Sequence, residues 1–226
     1  QHQQAQDQQF DGNTQHGTNR EAILRPRRGN LSVTRAGFMV DRPEPARCCF
    51  IMAVRKLIPG DANAYREIRL FALRESPAAF GASYEQESNQ AYETYLARFH
   101  TSIQEHGNFI VGAFEPEGRL VGIAGLLTYT GLKSRHKGFL WGVFVHPRSR
   151  RQGLGRQLIQ EIIAGARQIQ GLEQIVTAVV APNDQAGRLY AETGFRSYGR
   201  EPRALKIDGK SYDEDLLFLD LRSSAG

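Results

Sequence analysis

Cysteine is almost missing from this chain: Cys48 and Cys49 are its only two in 226 residues, and they are neighbours. A bridge between adjacent residues closes a strained ring, and no second pair exists to build a framework, so a disulfide scaffold is excluded. No cluster of Cys and His has the spacing of metal ligands, which leaves no metal site to argue for. No apolar run reaches the roughly eighteen residues that span a bilayer. The opening stretch, QHQQAQDQQFDGNTQHGTNR, is polar and Gln-rich and does not read as a secretory signal. Together these absences predict a reduced, metal-free, cytoplasmic protein with no membrane partner.

What is present suits one domain of moderate size with some extra chain. Hydrophobic residues make up 40% and charged residues 23%, enough for a core under an ordinary surface. The formal charge of +5 favours an anionic partner. Nucleic acid and a phosphorylated small molecule satisfy that excess equally, so the placement of the charge has to decide.

Residues 1–49 are rich in Gln, Asn, Gly, Arg and Pro and sustain neither helical nor strand periodicity. Such a composition buries too little apolar surface to offset chain entropy, and a disordered, polar and basic N-terminal extension is expected there. A folded domain is expected over 50–226. Met52 stands where order is expected to begin and is a candidate natural start. Phe50 to Lys56 reads as a first strand. Asp61 is a candidate N-cap for a helix carrying Tyr65, Ile68, Arg69, Leu70, Phe71 and Leu73. A second helix is expected from Ser88 to Glu105, with Tyr92, Tyr95, Leu96, Phe99 and Ile103 on one side.

Strands are expected over Asn108 to Phe114 and Leu120 to Tyr129, joined by a turn at Glu115 to Arg119. Gly138 to Val145 is almost wholly apolar, the mark of a central strand covered on both faces. A strongly amphipathic helix follows, stepping through Leu154, Leu158, Ile162, Ala166 and Ile169. Gln174 to Val180 is a β-branched strand, and Asn183 caps a short helix that runs to Glu192. A closing hairpin is expected from Ala204–Ile207 through Asp208-Gly209 into Tyr212 to Leu221. The result is a mixed α/β domain, neither a repeat nor a doubly wound sheet.

The segment from His146 to Arg156 joins the apolar strand to the amphipathic helix. Gly153 and Gly155 let backbone wrap closely around a ligand, while free N–H groups at a helix start face bound anion. Arg148, Arg150, Arg151 and Arg156 add positive charge at the same place, which suits a pyrophosphate. A Walker A loop needs a Gly-Lys-Ser/Thr ending, which is absent. A Rossmann fingerprint needs a third Gly or Ala where Leu158 stands. A nucleic-acid patch would use the arginines but has no need of paired glycines at a strand–turn–helix junction. No nucleic-acid partner is therefore expected.

The string Arg150-x-x-Gly153-x-Gly155, preceded by Val143-Phe144-Val145-His146-Pro147, resembles the acetyl-CoA loop of the GCN5-related N-acetyltransferase (GNAT) superfamily. The segment from Asn183 through Tyr190 to Gly194-Phe195 looks like that family's downstream motif. The resemblance covers about residues 51 to 221. It implies an acyl-CoA N-acyltransferase fold: a mostly antiparallel twisted sheet of roughly six to seven strands, splayed between the fourth and fifth, flanked by about four helices.

It also implies a donor site. The strand 138–145 would carry a bulge and part from strand 174–180, leaving backbone groups of Val143 and Val145 to pair with a pantetheine arm. An N–H near Phe144 or Val145 would hold the oxyanion of the tetrahedral intermediate. The amides of Arg151, Gln152, Gly153, Leu154, Gly155 and Arg156 would take the pyrophosphate, with Arg150 assisting. Asn183 would join the cofactor site, and Tyr190 would lie near the CoA sulfur and protonate the departing thiolate. Glu85 and Glu87, in the segment where the family builds its acceptor site, are candidates to bind a cationic substrate or act as base. The implied function is acetyl transfer from acetyl-CoA to a primary amine, of a small molecule or a protein, by direct attack in a ternary complex. A homodimer would be typical of the family. The alternative is a regulatory module that binds acyl-CoA without turnover.

Overall fold

The computed structural model of the protein describes residues 52–99 and 107–222. The extension expected over 1–49 and the end of the helix expected to reach Glu105 lie outside these residues. The elements in chain order are β1 (Ala53–Lys56), α1 (Ala62–Glu75), α2 (Tyr84–Ser88), α3 (Tyr92–Ala97), β2 (Phe109–Phe114) and β3 (Leu120–Thr128). They continue through β4 (Lys137–Val145), α4 (Leu154–Arg167), β5 (Gln174–Ala181), α5 (Asp184–Glu192), β6 (Arg196–Ile207) and β7 (Lys210–Asp220).

The seven strands form one sheet in the order β1-β2-β3-β4-β5-β7-β6. Every neighbouring pair is antiparallel except β4 and β5, which run parallel. Parallel neighbours need a long crossover, and α4 supplies it. Its apolar stripe of Leu154, Leu158, Ile159, Ile162, Ile163 and Ala166 is buried against one face of the sheet, beside Leu140, Ile175 and Tyr190. On the other face, Tyr65, Ile68, Ala72 and Leu73 of α1 pack with Tyr95, Phe99, Ile123 and Phe144. Burial of both faces explains why β2, β3 and β4 read as continuous apolar runs rather than alternating ones.

Three local expectations change. The helix expected from Ser88 to Glu105 is, over its described part, two short ones with a break at 89–91. The first begins earlier because Ser83 caps it, its Oγ accepting from the Gln86 N–H at 3.1 Å. Ser83-x-x-Gln86 is the spacing of a capping box, which marks the start that hydrophobic periodicity alone overlooks. Asp61 precedes α1 but does not cap it. Its carboxylate accepts from the Ile58 N–H at 2.9 Å and from Arg55 Nη1 and Nη2 at 2.7 and 2.9 Å. The last hairpin is longer than expected, because β6 begins at Arg196 and runs through Pro202. Proline is tolerated there because β6 is the edge strand and its register shifts between Glu201 and Leu205.

Candidate active site

The site is built on a fault in the sheet. β4 and β5 pair only at Lys137 with Gln174, Gly138 with Ile175 and Phe139 with Val176, and then part. On its other side β4 bulges against β3: Ile123 pairs with Phe144 and Gly125 with Trp141, so β4 carries one extra residue. Gly142 sits at the fault with φ of +64°, in the left-handed region that favours glycine. The extra residue reverses the side-chain alternation. Leu140 joins the α4 core and Phe144 the α1 core, although residues four apart on a regular strand share a face. The bulge and the parting of the strands agree with the expectation for this pair.

Beyond β4, His146 Nδ1 accepts from the Arg148 N–H at 3.3 Å and closes a short turn over Pro147–Ser149. Ser149 is buried and donates through Oγ to Glu115 Oε1 at 3.0 Å, which fastens the turn to the β2–β3 connection. The chain then passes through two left-handed residues, Arg151 with φ of +63° and Gly153 with φ of +77°, and enters α4. Left-handed residues next to a helix start turn successive N–H groups into one concavity, the backbone form of an anion cradle. Gly155 acts by its smallness: a Cβ there would lie 3.1 Å from Leu189 of α5.

A cavity of about 520 Å³ opens over this loop. Val143, Phe144, Val145 and Asn183 line it, with every residue from Arg150 to Arg156 except Gln152. Two arginines of the loop are engaged elsewhere. Arg150 donates from Nε to the Val145 carbonyl at 2.9 Å and pairs through Nη2 with Glu75 at 3.1 Å. Arg156 pairs with Glu192 at the end of α5.

A second cavity, of about 230 Å³, lies between the parted strands and the α1–α3 face. The two cavities share Ala79, Phe80, Val143, Asn183 and Ala186, so they adjoin at the parted strands. Asn183 caps α5, its side chain accepting from the Ala186 N–H at 3.0 Å. Two turns on, Tyr190 lines the second cavity. It is buried, edge-on to Phe195 with ring centres 5.4 Å apart. Burial pushes its phenol up to about 12, against the smaller opposing effect of a hydrogen bond with Thr177.

The two carboxylates expected at the acceptor side part company. Glu87 lines the second cavity and is buried, held by Arg69 and by Arg98, whose Nη2 is 3.7 Å from Oε2. Glu85 is exposed on the first turn of α2 and lines neither cavity. Trp141 lines the second cavity and Tyr129 does not.

Sequence reasoning missed three charged residues of this cavity: Arg69, Arg98 and Glu214. Arg69 had a signal, since it sits on the apolar stripe of α1 four residues after Tyr65 and before Leu73. A cation at such a position needs a buried partner. Glu214 had none, being one acid in the run Asp213-Glu214-Asp215. It is buried, lies in register with Val180 of β5 and Glu201 of β6, and its carboxyl is raised above the usual range by burial and by the Glu201 charge.

Residues 69–195 match the family model described as Acetyltransferase (GNAT) family, and the chain belongs to that family. It is an acyltransferase by membership, and the cosubstrate of the family is acetyl-CoA. Among solved structures, the acetyltransferase of GNAT family from Streptococcus pneumoniae is 23% identical, with a TM-score of 0.66 over 75% of this chain and 99% of its own. A phosphinothricin acetyltransferase from Sinorhizobium meliloti, in complex with acetyl-CoA, is 17% identical with a TM-score of 0.65 over 75% and 88%. A ribosomal-protein-alanine N-acetyltransferase from Brucella melitensis is 22% identical with a TM-score of 0.64 over 74% and 99%. At these identities the likeness is one of fold. No curated protein matches the chain. Among the described residues no group of His, Cys, Asp and Glu is placed to hold a metal ion, and no helix is long and apolar enough to cross a membrane.

Proposed function

We propose that this protein moves the acetyl group of acetyl-CoA to a primary amine, by direct attack within a ternary complex. The observation that supports this reading most is the meeting of the two cavities at the parted strands, where Val143 and Asn183 belong to both and Tyr190 is buried alongside. A donor entering over the 150–156 loop and an acceptor entering from the α1–α3 side would reach each other only there.

In this reading the amides of the loop hold the pyrophosphate, and the free edge of β4 takes the pantetheine arm as an added strand. The thioester carbonyl lies by the backbone of Phe144 and Val145, whose N–H groups stabilise the oxyanion as it forms. The amine nitrogen forms its bond to the carbonyl carbon, and the carbon–sulfur bond breaks. Tyr190 keeps its proton at neutral pH, since burial disfavours the phenolate, so it acts as the donor to the departing thiolate.

One protein of similar fold is a phosphinothricin acetyltransferase and another a ribosomal-protein-alanine N-acetyltransferase, so the acceptor has to be found by assay. The decisive measurement is CoA release with a primary diamine, an α-amino acid and an alanine-terminated tripeptide. Turnover with one of them, lost in Tyr190→Phe while acetyl-CoA still binds, supports the reading. Tight acetyl-CoA binding without turnover on a wider panel would favour a regulatory module instead.

A further inference from the structure

We infer that Glu214 is the carboxylate that receives the acceptor ammonium and takes its proton, with Glu201 across the strand pair tuning that step. The inference rests on the proposed acetyl transfer and assigns a role within it.

The placement is what carries it. Glu214 is 8% exposed yet lines the cavity that also contains Tyr190 and Asn183. No hydrogen bond from a described residue reaches its carboxylate. Its oxygens are not sealed off but open on the cavity, where an incoming cation would meet a charge that burial has stripped of much of its water. An incoming ammonium has the right charge and three N–H donors. Residues paired directly across antiparallel strands share a face, so Glu214 points to the same side as Val180 of β5 and Glu201 of β6.

The surroundings exclude the other acids from that task. Its neighbours on β7 point to the opposite face and are committed: Asp213 accepts from the Arg203 N–H at 2.8 Å, and Asp215 pairs with Arg200 at 2.7 Å. Glu87, on another wall of the cavity, is held between Arg69 and Arg98. Among the described residues, the titratable and charged groups that share its face or line its cavity are therefore Glu201 from β6, the Tyr190 phenol from α5, and Arg69, Glu87 and Arg98. Among the described residues Glu201 is the charge that bears on its ionisation, and its like charge reinforces the effect of burial in holding the proton on Glu214.

The proton inventory closes. The ammonium gives one proton to Glu214 and becomes a neutral amine, which attacks the thioester. The adduct nitrogen gives up its second proton as Tyr190 delivers one to the sulfur, so the phenol is restored. Glu214 then releases its proton to solvent. The sum is an ammonium and acetyl-CoA in, an amide, CoA thiol and one proton out.

Glu214→Gln keeps the shape and removes the charge. With the best of the three amines, kcat/KM should fall about 100-fold or more, the usual worth of a positioned base, while acetyl-CoA affinity by calorimetry holds. The variant should also melt higher than wild type at pH 8, because a largely buried charge beside that of Glu201 is gone. Glu201→Gln should keep the peak rate but shift the acid limb of the kcat/KM profile to lower pH, since its charge no longer holds the proton on Glu214. A Glu214→Gln rate within about threefold of wild type, or an acid limb unmoved in Glu201→Gln, overturns the assignment. If wild type acetylates none of the amines, the proposed activity fails for them, and a carbon-13 carboxyl titration decides this point separately. Glu214 titrating above ordinary glutamates, and lower in Glu201→Gln, supports the role; titration in the ordinary range overturns it.

Discussion

Arg69 donates from both Nε and Nη2 to a single oxygen of Glu87, Oε1, at 3.0 and 2.6 Å, and each side chain is only 5% exposed. The pair joins α1 to α2 beneath the cavity, and Arg98 comes within 3.7 Å of the remaining oxygen. Tyr95 adds a 2.6 Å hydrogen bond from its hydroxyl to the Glu87 carbonyl. One residue thus holds two guanidiniums through its carboxylate and the break between two helices through its backbone carbonyl.

Removing that carboxylate should be severe. Glu87→Ala strands the buried Arg69 guanidinium and removes the counter-charge of half-buried Arg98, and loss of one partner of a buried ion pair costs about 3–5 kcal/mol. Urea denaturation should show a midpoint lowered accordingly. Glu85→Ala, on the exposed turn of the same helix, should shift it by less than about 0.5 kcal/mol. Comparable losses for the two variants would refute the organising role of Glu87.

The bulge makes a second test. Gly142→Ala forces a Cβ onto a left-handed residue, a strain of about 1–2 kcal/mol, and sets it 3.4 Å from Arg69 Nη1. If the backbone relaxes by expelling the bulge, Val143 and Phe144 exchange faces and the donor cleft closes. Acetyl-CoA affinity should therefore drop along with stability. Gly60→Ala, in open space at negative φ, is the control and should alter neither.

These two cases show what the sequence could and could not disclose. The donor half was legible because backbone makes it: an apolar strand, paired glycines and an amphipathic helix are local features with local signals. Even the parting of β4 from β5 was reached only through the family resemblance, as nothing in Gly138–Val145 marks Gly142 as the extra residue. The acceptor half comes from side chains converging across distant elements. Arg69 and Glu87 are eighteen positions apart. Glu214 meets Glu201 only because the edge strand extends back past Pro202, beyond the Ala204–Ile207 expected for it.

Arg150 offers a test of how the loop is held before the donor arrives. Its Nη2 pairs with Glu75, whose carboxyl is held below its usual range by the Ser76 hydroxyl first and by Arg150 second. Glu75→Gln should loosen that hold and let the guanidinium turn to phosphate. Half-exposed pairs of this kind contribute up to about 1 kcal/mol, so acetyl-CoA should bind at most about fivefold more tightly, with a steeper salt dependence. Weaker binding in calorimetry would mean that Glu75 positions Arg150 for the donor instead of restraining it.

Tyr190 gives the sharpest prediction, because its chemistry and its packing separate cleanly. Tyr190→Phe keeps the ring against Phe195 and removes only the hydroxyl, so acetyl-CoA affinity should not change while kcat falls about 100-fold. The pH profile supplies a second reading. A donor loses activity as it deprotonates, and a phenol pushed up to about 12 stays protonated throughout the working range. No alkaline fall in kcat should therefore appear below about pH 9 in wild type. Thr177→Val removes the one contact that opposes the shift, moves the phenol further from titration, and should leave that plateau intact. An alkaline limb near pH 8 that vanishes in Tyr190→Phe would show instead that the phenol titrates in the working range, and that burial does not govern its proton.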